Sequence, residues 1–448
     1  MELSLGHGAK LTAQTDLKEG QSRRLQKSVA RVDHCFWIIG AALVAFVIKL
    51  AIALNTFGTN DVAAFYIFAR SLHDHGLQWT YQNGVAWSAN YPVFNHPPLT
   101  AYYLECIEAL SRFEFCREHA FTFPFLLRLP GIIADLGIVL VVLRIIKTTN
   151  ELSVPFWALV LFALSPVSLM VSGFHGNTDA VMVMFLVIAA YMSLRRRPLL
   201  CGVFFALSCQ VKIIPLLLLP IFFFFWLNRR AAVRFTVPFV LLSVTLWSQA
   251  LMNFPMLFVR NVLAYGSYWG TWGITYWLQL TRWSQFNAVG FLHLPPAAAV
   301  VALLLKGTII AAVLMIGWRR RSLGATGMIF SIAYAWIIFF VFSPGFCAYY
   351  LIWLTPFILL LSPAFYASLA ATSSLFLFIF YNGLAGGLPW FITVSKFSNP
   401  DRFNWLTPWS LWPWATLVCG MILFWKKAVT TDPSLRWVSL KTLPSPGA

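Results

Sequence analysis

Residues 36–54 read FWIIGAALVAFVIKLAIAL, and Phe57-Gly58-Thr59-Asn60-Asp61 follows almost at once. The apolar run has the roughly 20 residues that a helix needs to cross a bilayer. A membrane helix therefore ends just short of an aspartate. That aspartate opens a long aromatic-rich loop, 56–126. A carboxylate held at a bilayer surface ahead of a non-spanning loop is placed to take a proton beside a lipid-borne substrate. The plainer alternative is a helix cap: Asn60 or Asp61 can satisfy the free N–H groups of a helix over 62–71.

The rest of the chain is that of a membrane protein. Of 448 residues, 59% are hydrophobic and 10% charged, against roughly 25% charged in soluble domains. Strand-type alternation, the mark of a membrane barrel, is absent. The fold class is all-α and polytopic. A net charge of +17 would fit a nucleic-acid binder if the cations shared one soluble face. They stand instead at the ends of apolar runs, as Arg195-Arg196-Arg197, Arg229-Arg230, Arg319-Arg320-Arg321 and Lys426-Lys427. Such clusters mark cytoplasmic helix ends. The partner is a lipid bilayer, not nucleic acid. The seven cysteines show no paired metal-ligand spacing, and a disulfide between Cys106 and Cys116 in the first loop stays open.

The polar tail 1–34 reads as cytosolic, followed by an uncleaved first helix. A single membrane domain spans 35–427, with a cytosolic tail at 428–448. Spans are expected near 35–55, 127–146, 153–173, 179–194, 199–211, 213–227, 235–252, 296–318, 328–342, 349–361, 367–384 and 409–425, about twelve in all. The pieces 199–211 and 213–227 form a broken hairpin around Lys212 and Pro215, which membranes tolerate where backbone faces protein or a polar cavity. Within the first loop, Val62, Phe65, Ile67, Phe68 and Leu72 recur at helical spacing, so this stretch is expected to lie in the interface with its apolar face toward lipid. Residues 81–94 read as irregular. A short helix over 99–111 opens on Pro97-Pro98, residues suited to a first turn. It is short for a span, and a crossing there would put Arg144 and Lys147 on the outer side, against the positive-inside rule.

Three external segments, 56–126, 253–293 and 389–405, thus meet on one side, and the unusual polar residues gather there. Ionisable groups at membrane depth are costly and mark function. Lys212 interrupts two apolar pieces and can meet a lipid phosphate; the alternative is snorkelling to the interface. Arg128 and Asp135 stand seven apart on one helix face, as phosphate contact or as a structural pair. Arg260 lies in an aromatic segment, facing substrate or headgroups. Lys396 and Arg402 belong to the last loop. Asn177 and Asp179 at a helix start have the chemistry of caps, with His175 beside them. No HExxH-like spacing groups His73, His75, His96 and His175 into a metal site.

Taken in order, these features resemble the GT-C fold of polyprenyl-phosphate-sugar-dependent glycosyltransferases. The resemblance rests on Asn60-Asp61 just past the first span and on His96-Pro97-Pro98-Leu99, where protein mannosyltransferases and aminoarabinose transferases carry a His/Lys-Pro-Pro-Leu element. It extends to Arg128-Leu129-Pro130 with Ala134-Asp135, and to Gly173-Phe174-His175-Gly176-Asn177-Thr178-Asp179-Ala180. Lys212 and Phe342-Ser343-Pro344-Gly345-Phe346 with Tyr349-Tyr350-Leu351 complete it. The last three elements are similar to the bacterial mannosyltransferase-like branch that includes glycosyltransferase family 87. Many relatives pair two acidic residues at the first site; here Asp61 stands between Asn60 and Val62. A divalent cation is therefore left open, and Asp61 is a lone base.

The resemblance implies one inverting displacement. A sugar, mannose-like by preference, leaves a polyprenyl monophosphate for the hydroxyl of a glycan, glycolipid or protein acceptor, and Asp61 takes the proton. Lys212, His96, Arg260 and Arg128 are the expected phosphate contacts, as preorganised cations. Asn60, His175, Asn177, Asp179, Tyr349 and Tyr350 are the expected substrate contacts. The site would face the periplasm from a bacterial inner membrane, or the lumen of the endoplasmic reticulum in a eukaryote. Three other classes compete: a transporter or flippase of a lipid-linked sugar, which usually shows matched half-repeats that are missing here, an envelope assembly protein without catalysis, and a polysaccharide polymerase.

Overall fold

The computed structural model describes residues 34–84, 94–149, 151–265, 267–287, 294–385 and 407–429. Helices dominate, and strand-like pairing among the described residues is limited to one bridge, Trp269 with Gly345. Seven helices are long and apolar enough to cross a membrane: His34–Asn55, Phe123–Thr148, Phe156–His175, Ala232–Asn253, Pro296–Arg319, Ala325–Phe342 and Pro363–Ala385. Four shorter apolar helices, Asp179–Leu194, Pro198–Val211, Ile214–Asn228 and Ala348–Leu361, complete the set. The protein is an all-α polytopic membrane protein. Both tails, the stretch 85–93 and the expected third external loop, with Lys396 and Arg402, lie outside the described residues.

Ala325–Phe342 is the central post. Every residue from 328 to 341 is buried, as expected of a helix that is apolar on all sides. The outer helices turn large apolar side chains outward, among them Phe36, Trp37, Val44 and Val47 on the first, and that surface suits lipid. Pro198–Val211 and Ala232–Asn253 approach so closely that a Cβ on Gly202 would stand 2.2 Å from the Phe235 carbonyl oxygen. Glycine is the residue this crossing requires.

The first external segment departs from expectation. It forms a 24-residue helix, Asn60–Asn83, broken by a non-helical Gly76, then a 15-residue helix, Pro98–Arg112, too short to span. The apolar face of the first does not lie on lipid. Val62, Phe65, Phe68 and Leu72 share a core with Phe94, Leu104, Phe254 and Phe258. Pro98–Arg112 and the end of Ala232–Asn253 cover that face, which protein atoms fill more densely than lipid chains would. Two polar links close the package: Tyr81 Oη donates to the His96 carbonyl at 2.5 Å, and Asn261 Nδ2 donates to the Tyr81 carbonyl at 2.7 Å. Cys106 and Cys116 are both free thiols.

The interior charges are also distributed differently. Asp135 does not pair with Arg128. Its carboxylate accepts from Lys49 Nζ at 2.6 Å and from Ser168 Oγ at 2.6 Å. Lys49 and Asp135 are both buried, so each neutralises the other where a single charge would be costly. Arg128 instead staples the end of the first helix to the 173–174 turn, through the Ala53, Thr56, Gly173 and Phe174 carbonyls.

Candidate active site

Asp61 is not the helix cap. Thr59, in an extended conformation, fills that role, and its hydroxyl accepts the Asp61 backbone N–H at 3.3 Å. The Asp61 carboxylate is left free for other work. Thr59 is itself hung on the carbonyl of His175, from its N–H at 3.3 Å and its hydroxyl at 2.9 Å.

His175 ends the helix Phe156–His175, whose last turns from Leu169 widen to i→i+5 spacing. Such wide turns are frequent at functional sites. Gly176 then closes the helix at φ +83°, where a Cβ would meet Val62 Cγ2 at 2.4 Å. The outcome is one short contact: His175 Nε2 lies 3.0 Å from Asp61 Oδ2. The His175 side chain is 6% exposed and that of Asp61 29%. The imidazole therefore sits behind and the carboxylate faces forward. The ring packs at a tilt against Tyr349, with centroids 4.2 Å apart. Burial pushes the Asp61 carboxyl up, but the charge and hydrogen bond of His175, the Lys212 ammonium and the Tyr349 hydroxyl together hold it below the usual aspartate range.

Lys212 is the break between Pro198–Val211 and Ile214–Asn228. Its backbone is extended, and Pro215 stands in the first turn of the helix that resumes at Ile214. Its Nζ donates to both oxygens of Asp179, at 2.7 and 2.9 Å. Asp179 is fully buried and also accepts from Trp353 Nε1. The ammonium lies over the rings of Tyr349, Tyr350 and Trp353, at 4.8, 5.1 and 5.5 Å from their centroids.

These groups face one cavity of about 1410 Å³, larger than the ~300–1,000 Å³ of ordinary small-molecule sites. The fold brings Asn60, Asp61, His96, His175, Lys212, Tyr349 and Tyr350 to its wall. It does not bring the other four candidates. Asn177 is a buried cap whose Oδ1 accepts the Asp179 N–H at 3.1 Å. Asp179 is the counter-ion of Lys212 rather than a substrate contact. Arg128 is fully buried, and its guanidinium donors are taken by protein oxygens. Arg260 is exposed and turned to Asn261 Oδ1 at 3.2 Å. His96 reaches the cavity but not as a cation: burial, then the Lys212 charge, push its imidazole down to about 3.

Sequence reasoning missed three wall residues. Trp353 stands two residues past the quoted late element and anchors Asp179. Lys306 and Arg282 are further cations on the wall. Lys306 stands inside an apolar run, the same signal that singled out Lys212. Among the described residues no three His, Cys, Asp or Glu side chains converge to hold a metal ion.

Residues 98–229 match the family model of the MptA_B family, alpha-(1->6)-mannopyranosyltransferase, N-terminal domain. This segment is similar to that family, and the similarity is consistent with a GT-C mannosyltransferase-like protein. The match covers Arg128, Asn177, Asp179 and Lys212, and it supports a membrane glycosyltransferase that acts on mannose. No curated protein matches the sequence.

Proposed function

We propose that this mannosyltransferase-like protein moves a mannose-like hexose from a polyprenyl monophosphate to an acceptor hydroxyl on the outer face of the membrane, with inversion at the anomeric carbon. In a bacterium that membrane is the inner membrane and that face the periplasm. The acceptor oxygen attacks the anomeric carbon and its proton passes to Asp61. The bond from that carbon to the phosphate oxygen breaks, and its electron pair leaves with the polyprenyl phosphate.

The observation that carries this reading is the pairing of Asp61 with His175 at the wall of a large cavity. The hydrogen bonds of His175 and Tyr349 fix the carboxylate, and its exposed part faces the acceptor. General-base catalysis requires this kind of reach more than an extreme pKa. Lys212 has three donors, of which Asp179 takes two. The third serves the charge that develops on the leaving phosphate. His96, neutral, contributes a hydrogen bond rather than a charge.

The test is transfer by purified protein from polyprenyl-phosphate mannose, glucose or arabinofuranose. Turnover of one donor in the wild type and its loss in Asp61→Asn are expected. Movement of a lipid-linked sugar across a vesicle membrane without transfer would make the protein a flippase.

A further inference from the structure

Three cations line the cavity, and they are not equivalent. Lys212 is neutralised by Asp179. Lys306 and Arg282 have no carboxylate within ion-pair distance among the described residues. Lys306 lies ten residues into Pro296–Arg319, about 15 Å along the axis, in a helix with no other charge before its last turn. Its one hydrogen bond, to the Ala264 carbonyl, is 3.4 Å long, beyond the usual range. A cation at this depth without a partner is costly unless something anionic joins it.

The surroundings name that partner. One turn further along the same helix, Ile309 and Ile310 line the cavity, and Ile310 is 52% exposed. Leu216, Leu217 and Pro220 line it from the neighbouring helix Ile214–Asn228. Beside Lys306, a Cβ on Gly307 would meet nothing within 4 Å. A cation with an apolar groove running away from it is complementary to an amphiphile with a small anionic head. On the outer side Arg282 adds a second positive charge, held at φ +56° in a turn.

We propose that Lys306, assisted by Arg282, anchors the phosphate of the lipid carrier, and that the prenyl chain leaves the cavity between Pro296–Arg319 and Ile214–Asn228. This rests on the polyprenyl-phosphate donor proposed above. Lys306 holds the phosphate from one wall while Lys212 meets the reacting end from the other. The groove, rather than a free anion in solution, supplies the remaining affinity.

The experiment is binding of undecaprenyl phosphate to the full chain in lipid nanodiscs, with inorganic phosphate as competitor. Wild-type binding is expected to weaken roughly ten- to a hundredfold in Lys306→Met, the range for a hydrogen bond to a charged group, and to survive in Lys306→Arg. Ile310→Trp, which fills the groove and keeps the charge, is expected to weaken it as well. Inorganic phosphate should not displace the lipid at millimolar concentration. Unchanged affinity in Lys306→Met overturns the anchor and leaves the donor reading standing. Unchanged affinity in Ile310→Trp, or displacement by inorganic phosphate, overturns the lipid route. A wild type that does not bind the lipid removes the donor itself. If Lys306→Met does not fold, Lys306→Arg and Ile310→Trp decide alone.

Discussion

Lys212 Nζ lies 2.7 Å from Oδ1 of Asp179, and that carboxylate has no exposure at all. The lysine is thus a tethered cation: one partner buries the counter-charge and the other reaches the cavity. Lys212→Met alone strands a buried carboxylate and should destabilise the protein by about 3–5 kcal/mol. The double variant Asp179→Asn/Lys212→Met removes both charges and should recover most of that stability without recovering transfer. Thermal unfolding and transfer assays on the wild type and the two variants check this. A stable, active Lys212→Met would contradict the tether.

Arg128 should behave differently. Its donors hold the Pro124, Ala53, Thr56, Gly173 and Phe174 carbonyls. Replacing it by Met leaves those acceptors buried and unpaired, at a cost of roughly 3 kcal/mol or more. Any protein that folds should keep its donor KM. A folded Arg128→Met with a raised KM and normal stability would restore the phosphate role expected from sequence.

The membrane helices were legible because hydropathy and basic clusters report directly on the bilayer. The cavity was less so. Lys212, His96, His175 and the Tyr349–Tyr350 pair could be picked out from their placement and from the resemblance, but their partners could not. Lys49 with Asp135 and Lys212 with Asp179 are 86 and 33 residues apart in the chain, and spacing says nothing about contacts between helices. Arg128 and Asp135, on one helix face, looked like a pair because the competing acceptors lie on other elements. The apolar face of Asn60–Asn83 gave the right periodicity and the wrong neighbour: periodicity shows that a face is buried, not what covers it.

His96 ties stability to pH. Its folded-state value of about 3 lies below the ~6.5 of an exposed histidine. The neutral ring therefore contributes stability that is fully present above about 6.5 and lost as the pH falls toward 3, with a slope approaching about 1.4 kcal/mol per pH unit. Melting temperatures from pH 7 to 4 should fall less steeply in His96→Gln than in the wild type. Equal slopes would show that this imidazole is not held neutral.

His175 should set the acid limb of activity. Asp61 is held low by His175, Lys212 and Tyr349 against its burial, and a base works above its own pKa. His175→Phe keeps a ring against Tyr349 and removes the N–H, so the Asp61 carboxyl should rise and the acid limb of kcat/KM should move to higher pH. The rate should fall by up to about 100-fold as the carboxylate loses its fixed position. His175→Gln, which retains a donor, should recover part of both. A pH profile unmoved in His175→Phe would leave the ring a packing residue.

We propose that the Asp61 carboxylate takes the acceptor's proton. Thr59, not Asp61, caps the helix, so Asp61→Asn should fold, melt and bind polyprenyl phosphate like the wild type. The decisive measurement is single-turnover mannosyl transfer by wild type and Asp61→Asn at saturating polyprenyl-phosphate mannose. A fall of about 10²–10⁴-fold in the chemical step, with donor affinity unchanged, is expected; transfer at the wild-type rate would contradict it.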